Sequence, residues 1–177
     1  MRNILVDNYI LNPKNYLPNL ELANWYLKLE QYSAAIMHYM KCLEADDLED
    51  NNYAVKYHCL CAMSWCYWKL DHRWLGEMQY ARFAKAECPD RPEAYYMLCR
   101  IWIDKLEHDQ CFEDGEWIQV YENARIGILY AQMQDQPENI YYPGIEYLKL
   151  FYAISLLRLN KHRSEEHTSE LQSPRYL

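Results

Sequence analysis

Apolar residues recur three and four positions apart along most of the chain, in stretches separated by short polar segments. This spacing is typical of helices that bury one face. The apolar positions of the first two stretches are Leu20, Leu22, Ala23, Trp25, Tyr26 and Leu29, then Ala34, Ala35, Tyr39, Cys42 and Leu43. Only the polar turn LEQYS lies between the two stretches. The pattern therefore predicts a helical hairpin whose two apolar faces bury against each other and against a neighbour.

A set of one large, one small and, three residues later, another large residue recurs in the first helix of each predicted hairpin. The sets are Leu22-Ala23-Tyr26, Met63-Ser64-Tyr67, Leu98-Cys99-Trp102 and Tyr152-Ala153-Leu156. The second helices carry Ala35, Tyr39 and Cys42, then Gly76, Tyr80 and Phe83, and more loosely Val120, Ala124 and Gly127. Because a short side chain lets two helices approach closely, we expect the small residues to lie at helix contacts.

This pattern resembles the tetratricopeptide repeat, a unit of ~34 residues with alternating large and small positions and a late proline. Pro89 and Pro92 stand at the expected unit boundary. The resemblance implies an all-α fold, an irregular α-α hairpin solenoid of three to four helix pairs in a right-handed stack. The predicted segments are a lead-in at 1–15 and a repeat domain at 16–162, with units at about 16–50, 53–90, 91–131 and 141–162. An ordinary helical bundle with accidental similarity is the alternative.

A second resemblance is carried by the segment CPDRPEAYYMLCRIW. Its residues Pro89, Arg91, Pro92, Glu93, Tyr95, Tyr96 and Leu98 stand where similar residues stand in the helical-repeat region associated with family-2 glycosyltransferases of bacterial and viral type. In those proteins the helical region follows a catalytic nucleotide-sugar domain. The chain has no Asp-x-Asp pair and no alternation of strands and helices that such a domain would need. The resemblance thus implies a non-catalytic fragment of a larger protein, whose catalytic domain would lie upstream.

The last residues, 163–177, differ in composition from the Tyr- and Leu-rich stretch before them. The run RSEEHTSELQS, from Arg163 to Ser173, resembles codon by codon the translation of a common sequencing adapter. We therefore expect the tail to be non-native and the natural sequence to have continued beyond His162.

Composition and charge narrow the function classes. The 177 residues have a net charge of −8, which argues against nucleic acid as a partner because such a surface needs a basic face. No apolar stretch approaches the ~20 residues of a membrane span, and no secretory signal begins the chain. The odd count of seven cysteines, most of them in helix-like segments, favours a reducing compartment, and we expect the protein to be cytoplasmic.

Two clusters offer metal or acid–base chemistry. His58, Cys59, Cys61 and Cys66 share one predicted helix, but the spacing lacks the Cys-x-x-Cys pairs of zinc sites, which favours buried packing. The insert after the first helix of the third predicted hairpin carries His108, Cys111, Glu113, Asp114 and Glu116. A polar loop with carboxylates is more often solvated surface than a catalytic pair. We therefore predict no catalytic residue, no metal site and no cofactor, with a helical enzyme using the acidic insert as the least favoured reading.

The better candidate is a binding groove on the first helices. In tetratricopeptide-like stacks these helices line the concave surface, and the predicted groove residues are Asn24, Lys28, Trp65, Trp68, Lys69, Tyr96 and Arg100. Aromatic residues and Arg dominate binding hot spots. The alternative for Trp65 and Trp68 is that they fill the core between uneven repeats. The predicted partner is a peptide or protein, the protein's own catalytic domain, or a glycan; a free-standing tetratricopeptide scaffold that binds a peptide, unrelated to sugar transfer, is the alternative function.

Overall fold

The computed structural model describes residues 2–70, 74–109, 114–133 and 142–172. These ranges contain eight helices and no strand, so the prediction of an all-α fold is confirmed for them. The helices are α1 (Arg2–Leu11), α2 (Tyr16–Lys28), α3 (Tyr32–Leu43), α4 (Tyr53–Lys69), α5 (Trp74–Glu87), α6 (Pro92–Asp109), α7 (Asp114–Met133) and α8 (Ile145–Gln172). The chain divides into two compact units, Met1–Ala94 and Tyr95–Leu177.

In the first unit, α2 packs against α3 and α4 against α5, while α3 also packs against α4 and α1 against α2. The α2–α3 hairpin closes through a tight turn at Glu30, whose φ of 58° lies in the left-handed region. The Gln31 N–H donates to the Tyr26 carbonyl at 2.9 Å and the Glu30 N–H to the Leu27 carbonyl at 3.0 Å. These two hydrogen bonds satisfy carbonyls in the last turn of α2, and the chain reverses within three residues.

The predicted small positions of the first unit lie at helix contacts. Ala23, Ala35 and Ser64 are completely buried, and the Ser64 hydroxyl donates to the Glu77 carbonyl of α5 at 3.0 Å. At Gly76 an added Cβ would stand 2.7 Å from the Tyr67 ring. The Tyr67 ring of α4 therefore occupies the space that a side chain at position 76 of α5 would fill, which is a physical reason for pairing a large residue with a small one at this contact.

The second unit contains α7 packed against α8. Val120 and Ala124 of α7 are completely buried, and a Cβ on Gly127 would lie 2.9 Å from the Tyr95 Cβ. The expectation fails at Ala153, which is exposed. Among the α8 residues up to 160, whose side chains the structure describes, Leu148 and Ser155 are completely buried instead. Leu148 lies beside Gly127 of α7.

Candidate binding surface

Three of the predicted groove residues form one aromatic and cationic cluster at the C-terminal end of α4. The Trp65 and Trp68 rings lie 4.8 Å apart between centroids at an interplanar angle of 53°. The Lys69 Nζ lies 4.1 Å from the Trp68 ring centroid and 5.2 Å from that of Trp65, within the range of a cation–π contact. Both indoles are half-buried and Lys69 is exposed. We call these three residues the α4 tryptophan cluster.

The cluster follows from the spacing of α4. Residues at i, i+3 and i+4 share one face of a helix, which brings the two indoles and the ammonium together. The core side of the helix carries Cys59, Met63 and Cys66, which are completely buried. The two indoles thus lie between core and solvent, neither filling the core outright nor standing free of it.

Asn24, the predicted groove residue of α2, lies where three helices meet. Its Oδ1 accepts a hydrogen bond from the Tyr39 hydroxyl of α3 at 2.7 Å and one from the His58 Nε2 of α4 at 3.0 Å. Because an amide oxygen only accepts, the second bond assigns the ring proton of His58 to Nε2. Asn24 therefore joins the first hairpin to the second, and its oxygen is engaged in that junction.

His58 and a second histidine are held neutral by their surroundings. Burial lowers the pKa of His58 below its ordinary value. His38 of α3 is 4% exposed, and its Nδ1 lies 3.1 Å from the Oδ1 of Asn19, with the Tyr26 ring stacked 5.5 Å away. Burial, and secondarily the charge of Lys41, lowers the pKa of His38. Each histidine is thus a neutral hydrogen-bonding group beside an asparagine of α2.

The remaining groove candidates have different surroundings. Lys28 is exposed on the last turn of α2. In the second unit, Tyr96 and Arg100 lie one turn apart on α6 and are only 8% and 7% exposed. Tyr96 stacks on Phe151 with a centroid distance of 5.8 Å, and burial raises the pKa of its hydroxyl. The sequence pattern predicted that these two residues line a groove, whereas the structure buries their side chains.

The acidic insert and the cysteine cluster were the candidates for catalysis or metal binding. Within the described ranges, no three His, Cys, Asp or Glu side chains converge as a metal site requires. The Glu116 carboxylate forms an ion pair with Lys105 of α6. Cys111 and Glu113 lie outside the described residues.

Sequence reasoning missed a buried polar network at the start of α6. Glu93 is completely buried; it accepts a hydrogen bond from the Tyr57 hydroxyl at 3.0 Å and pairs with the Arg91 guanidinium. The Tyr57 oxygen in turn accepts from the Ala94 N–H at 3.2 Å. Burial raises the pKa of Tyr57, so the phenol stays a donor. The sequence signal for this network is the Arg91-Pro92-Glu93 run, which places a carboxylate in the first turn of α6 two residues after a guanidinium.

Comparison with known proteins gives no relative: no family model, no curated protein and no solved structure matches the chain. None of the described helices combines the length and the apolar character that crossing a membrane requires.

Proposed function

We propose that this chain is a non-catalytic interaction module, built of irregular tetratricopeptide-like helix hairpins, that binds a partner peptide on the surface around the α4 tryptophan cluster. The observation that carries the proposal is the cluster itself, in which two half-buried indoles lie beside an exposed ammonium. Indole rings offer a large apolar contact at little loss of side-chain entropy, and tryptophan is enriched in binding hot spots. The ammonium adds a donor for a carbonyl or carboxylate.

The hairpin arrangement supports the tetratricopeptide-like part of the proposal. In the first unit α2 packs against α3 and α4 against α5, and α3, the second helix of one hairpin, packs against α4, the first helix of the next. The small residues Ala23, Ala35 and Ser64 of these helices are completely buried. In such arrays each hairpin buries its apolar face mainly against its neighbours, which leaves one helix of each pair to present side chains to a partner.

A peptide is favoured over a glycan because of Lys69. Sugars bind tryptophan by stacking on an open ring face, and the Lys69 ammonium already lies over both rings, at 4.1 and 5.2 Å. A peptide can contact the indole edges and accept a hydrogen bond from the ammonium at the same time. Binding of a glycan is the other outcome of the experiment below.

The segment Pro89 to Leu98 supports a role within a larger glycosyltransferase-associated protein, where the module would bind a partner or its own catalytic domain. A free-standing scaffold is the alternative. The genomic sequence upstream of Met1 separates them, since an in-frame nucleotide-sugar domain supports the first and a stop codon contradicts it. All six described cysteines are free thiols, which is compatible with a cytoplasmic module.

Selection from a random peptide library against the intact chain, with a glycan array in parallel, tests the binding proposal. Trp68→Ala is expected to weaken a selected peptide by about 30-fold, the effect of a hot-spot residue, and Lys69→Met by less. The matched control is Trp102→Ala on α6, which also lies under a lysine, 5.3 Å from the Lys105 Nζ. Circular dichroism verifies that each variant is folded. Peptides that bind Trp68→Ala as tightly as the parent chain would contradict this surface.

A further inference from the structure

Two free cysteines of the first unit face each other across the contact between α3 and α4. Cys42 lies in the last turn of α3 and Cys59 in the second turn of α4, and both are completely buried. Their Sγ atoms are 3.6 Å apart, with the Cys59 thiol donating to the Cys42 sulfur. The two sulfurs are therefore already in van der Waals contact, on two helices that belong to different hairpins.

The hydrogen bond makes the two thiols unequal. It lowers the pKa of Cys42, because a sulfur that accepts a proton donor holds negative charge more readily, and it raises the pKa of Cys59, which gives up its donor when it ionises. Burial raises the pKa of Cys66, on the same face of α4, to about 12. Cys42 is thus the sulfur of this group that is best prepared to act as a nucleophile, because the thiolate is the reactive form.

We propose that Cys42 and Cys59 form a peroxide-reactive dithiol that oxidises to a disulfide between α3 and α4. The Cys42 thiolate attacks one oxygen of hydrogen peroxide; the O–O bond breaks, and the leaving hydroxide takes up a proton to become water. Cys42 is then a sulfenic acid. The Cys59 sulfur attacks the Cys42 sulfur, the S–O bond breaks, and the oxygen leaves as a second water with the Cys59 proton. Two electrons pass from the two sulfurs to the peroxide.

The geometry favours this product over further oxidation. A disulfide needs an S–S distance of about 2 Å, so the two sulfurs must approach by about 1.5 Å from the observed 3.6 Å. The second thiol is in contact with the first, so a sulfenic acid on Cys42 meets Cys59 before it meets a second peroxide. Because neither sulfur is exposed, the reaction requires transient opening of the α3–α4 contact, and small neutral peroxide enters more easily than a bulky disulfide.

The new bond would fasten the first hairpin to the second. Cys42 and Cys59 flank the connection that leads from α3 into α4. A disulfide that closes this loop lowers the conformational entropy of the unfolded chain, which raises the stability of the folded chain. The oxidised first unit is therefore held in the arrangement that the Asn24 junction already favours, which makes the pair a covalent lock rather than a surface modification.

The experiment treats the intact chain with hydrogen peroxide after Cys88→Ser and Cys111→Ser have removed the half-buried thiol and the thiol outside the described residues. Non-reducing proteolysis and mass spectrometry are expected to find the peptide containing Cys42 joined to that containing Cys59, with the loss of two hydrogen atoms. The melting temperature should rise by about 5–15 °C and return on reduction.

Matched variants separate the roles of the sulfurs. Cys59→Ser should accumulate a sulfenic acid on Cys42 that a dimedone probe traps, Cys42→Ser should give neither product, and Cys66→Ser should still form the cross-link. If Cys42→Ser does not fold, thiol mapping of the parent chain decides alone. The proposal is overturned if peroxide leaves both thiols free, or if they react only in unfolding concentrations of urea. No partner is involved, so this result is independent of the peptide-binding proposal.

Discussion

Replacement of Glu93 by Gln tests whether the buried network at the start of α6 stabilises the first unit. Glu93 is completely buried, and its carboxylate contacts the Tyr57 hydroxyl and the Arg91 guanidinium, whose side chain is 27% exposed. Gln keeps the shape and one acceptor oxygen but loses the charge. It also turns an NH₂ group toward one of two groups that themselves donate hydrogen bonds.

The magnitude follows from these contacts. A hydrogen bond to a charged group contributes about 1.5–3 kcal/mol, and loss of one partner from a buried ion pair costs about 3–5 kcal/mol. Arg91 recovers part of its hydration because its side chain is 27% exposed, which reduces the second figure. We therefore expect Glu93→Gln to lower the free energy of unfolding by about 2–4 kcal/mol.

Urea denaturation followed by circular dichroism measures this change. The control is Glu107→Gln on the same helix, where the side chain is exposed and a change within about 0.5 kcal/mol is expected. A double-mutant cycle with Tyr57→Phe isolates the coupling between the two residues. If Glu93→Gln unfolds at the same urea concentration as the Glu107 control, the network does not stabilise the unit and the reasoning is refuted.

Three further predictions concern the packing and hydrogen bonds of the helices. Gly76→Ala should lower the free energy of unfolding by about 1–3 kcal/mol, because the new Cβ would overlap an aromatic ring at 2.7 Å, whereas Gly115→Ala, with no atom within 4 Å, should be neutral or slightly stabilising in the same urea titration. Asn24→Ala should lower it by about 1–3 kcal/mol, since a buried hydroxyl and a ring N–H lose their acceptor; an unchanged melting temperature would contradict the junction. Stability should fall as the pH drops below the ordinary histidine pKa of 6.5, because the lowered pKa values of His38 and His58 leave these rings neutral in the folded chain while the unfolded chain binds protons. The loss should end at pH values below the folded pKa values. Urea denaturation measured from neutral to acidic pH checks this, with a His38→Gln variant as the comparison. If the parent chain loses no more stability than the variant over this range, the prediction is contradicted.

The hydrophobic period predicted the all-α class and the two helical hairpins of the first unit. It predicts hairpins whose helices lie within residues 16–50 and 53–90, and the structure has α2 with α3 and α4 with α5 in these ranges. The period works because burying one face of a helix imposes a repeat of three to four residues whatever the neighbour is. It failed at Ala153, because a repeat pattern does not say which face of a helix has a neighbour.

The candidate site was predictable only where one helix supplies all its members. Trp65, Trp68 and Lys69 come together because their spacing on α4 is sufficient to place them on one face. Asn24 and Arg100 also lie on predicted first helices, but the structure engages the first in a three-helix junction and buries the second. Position along a helix therefore identifies neighbours on that helix, and it does not identify exposure.

By itself, the sequence determined the helical class, the turn between α2 and α3 and the alternation of large and small residues, because these depend on contacts between residues close along the chain. Tertiary structure alone decided which polar groups are buried together. The Tyr57–Glu93 bond and the Cys42–Cys59 contact join different helices, and their members are separated by loops whose path the pattern does not contain. The pKa and the hydrogen bonds of a polar or thiol side chain depend on the partner across such a contact, and the packing of whole helices determines that partner.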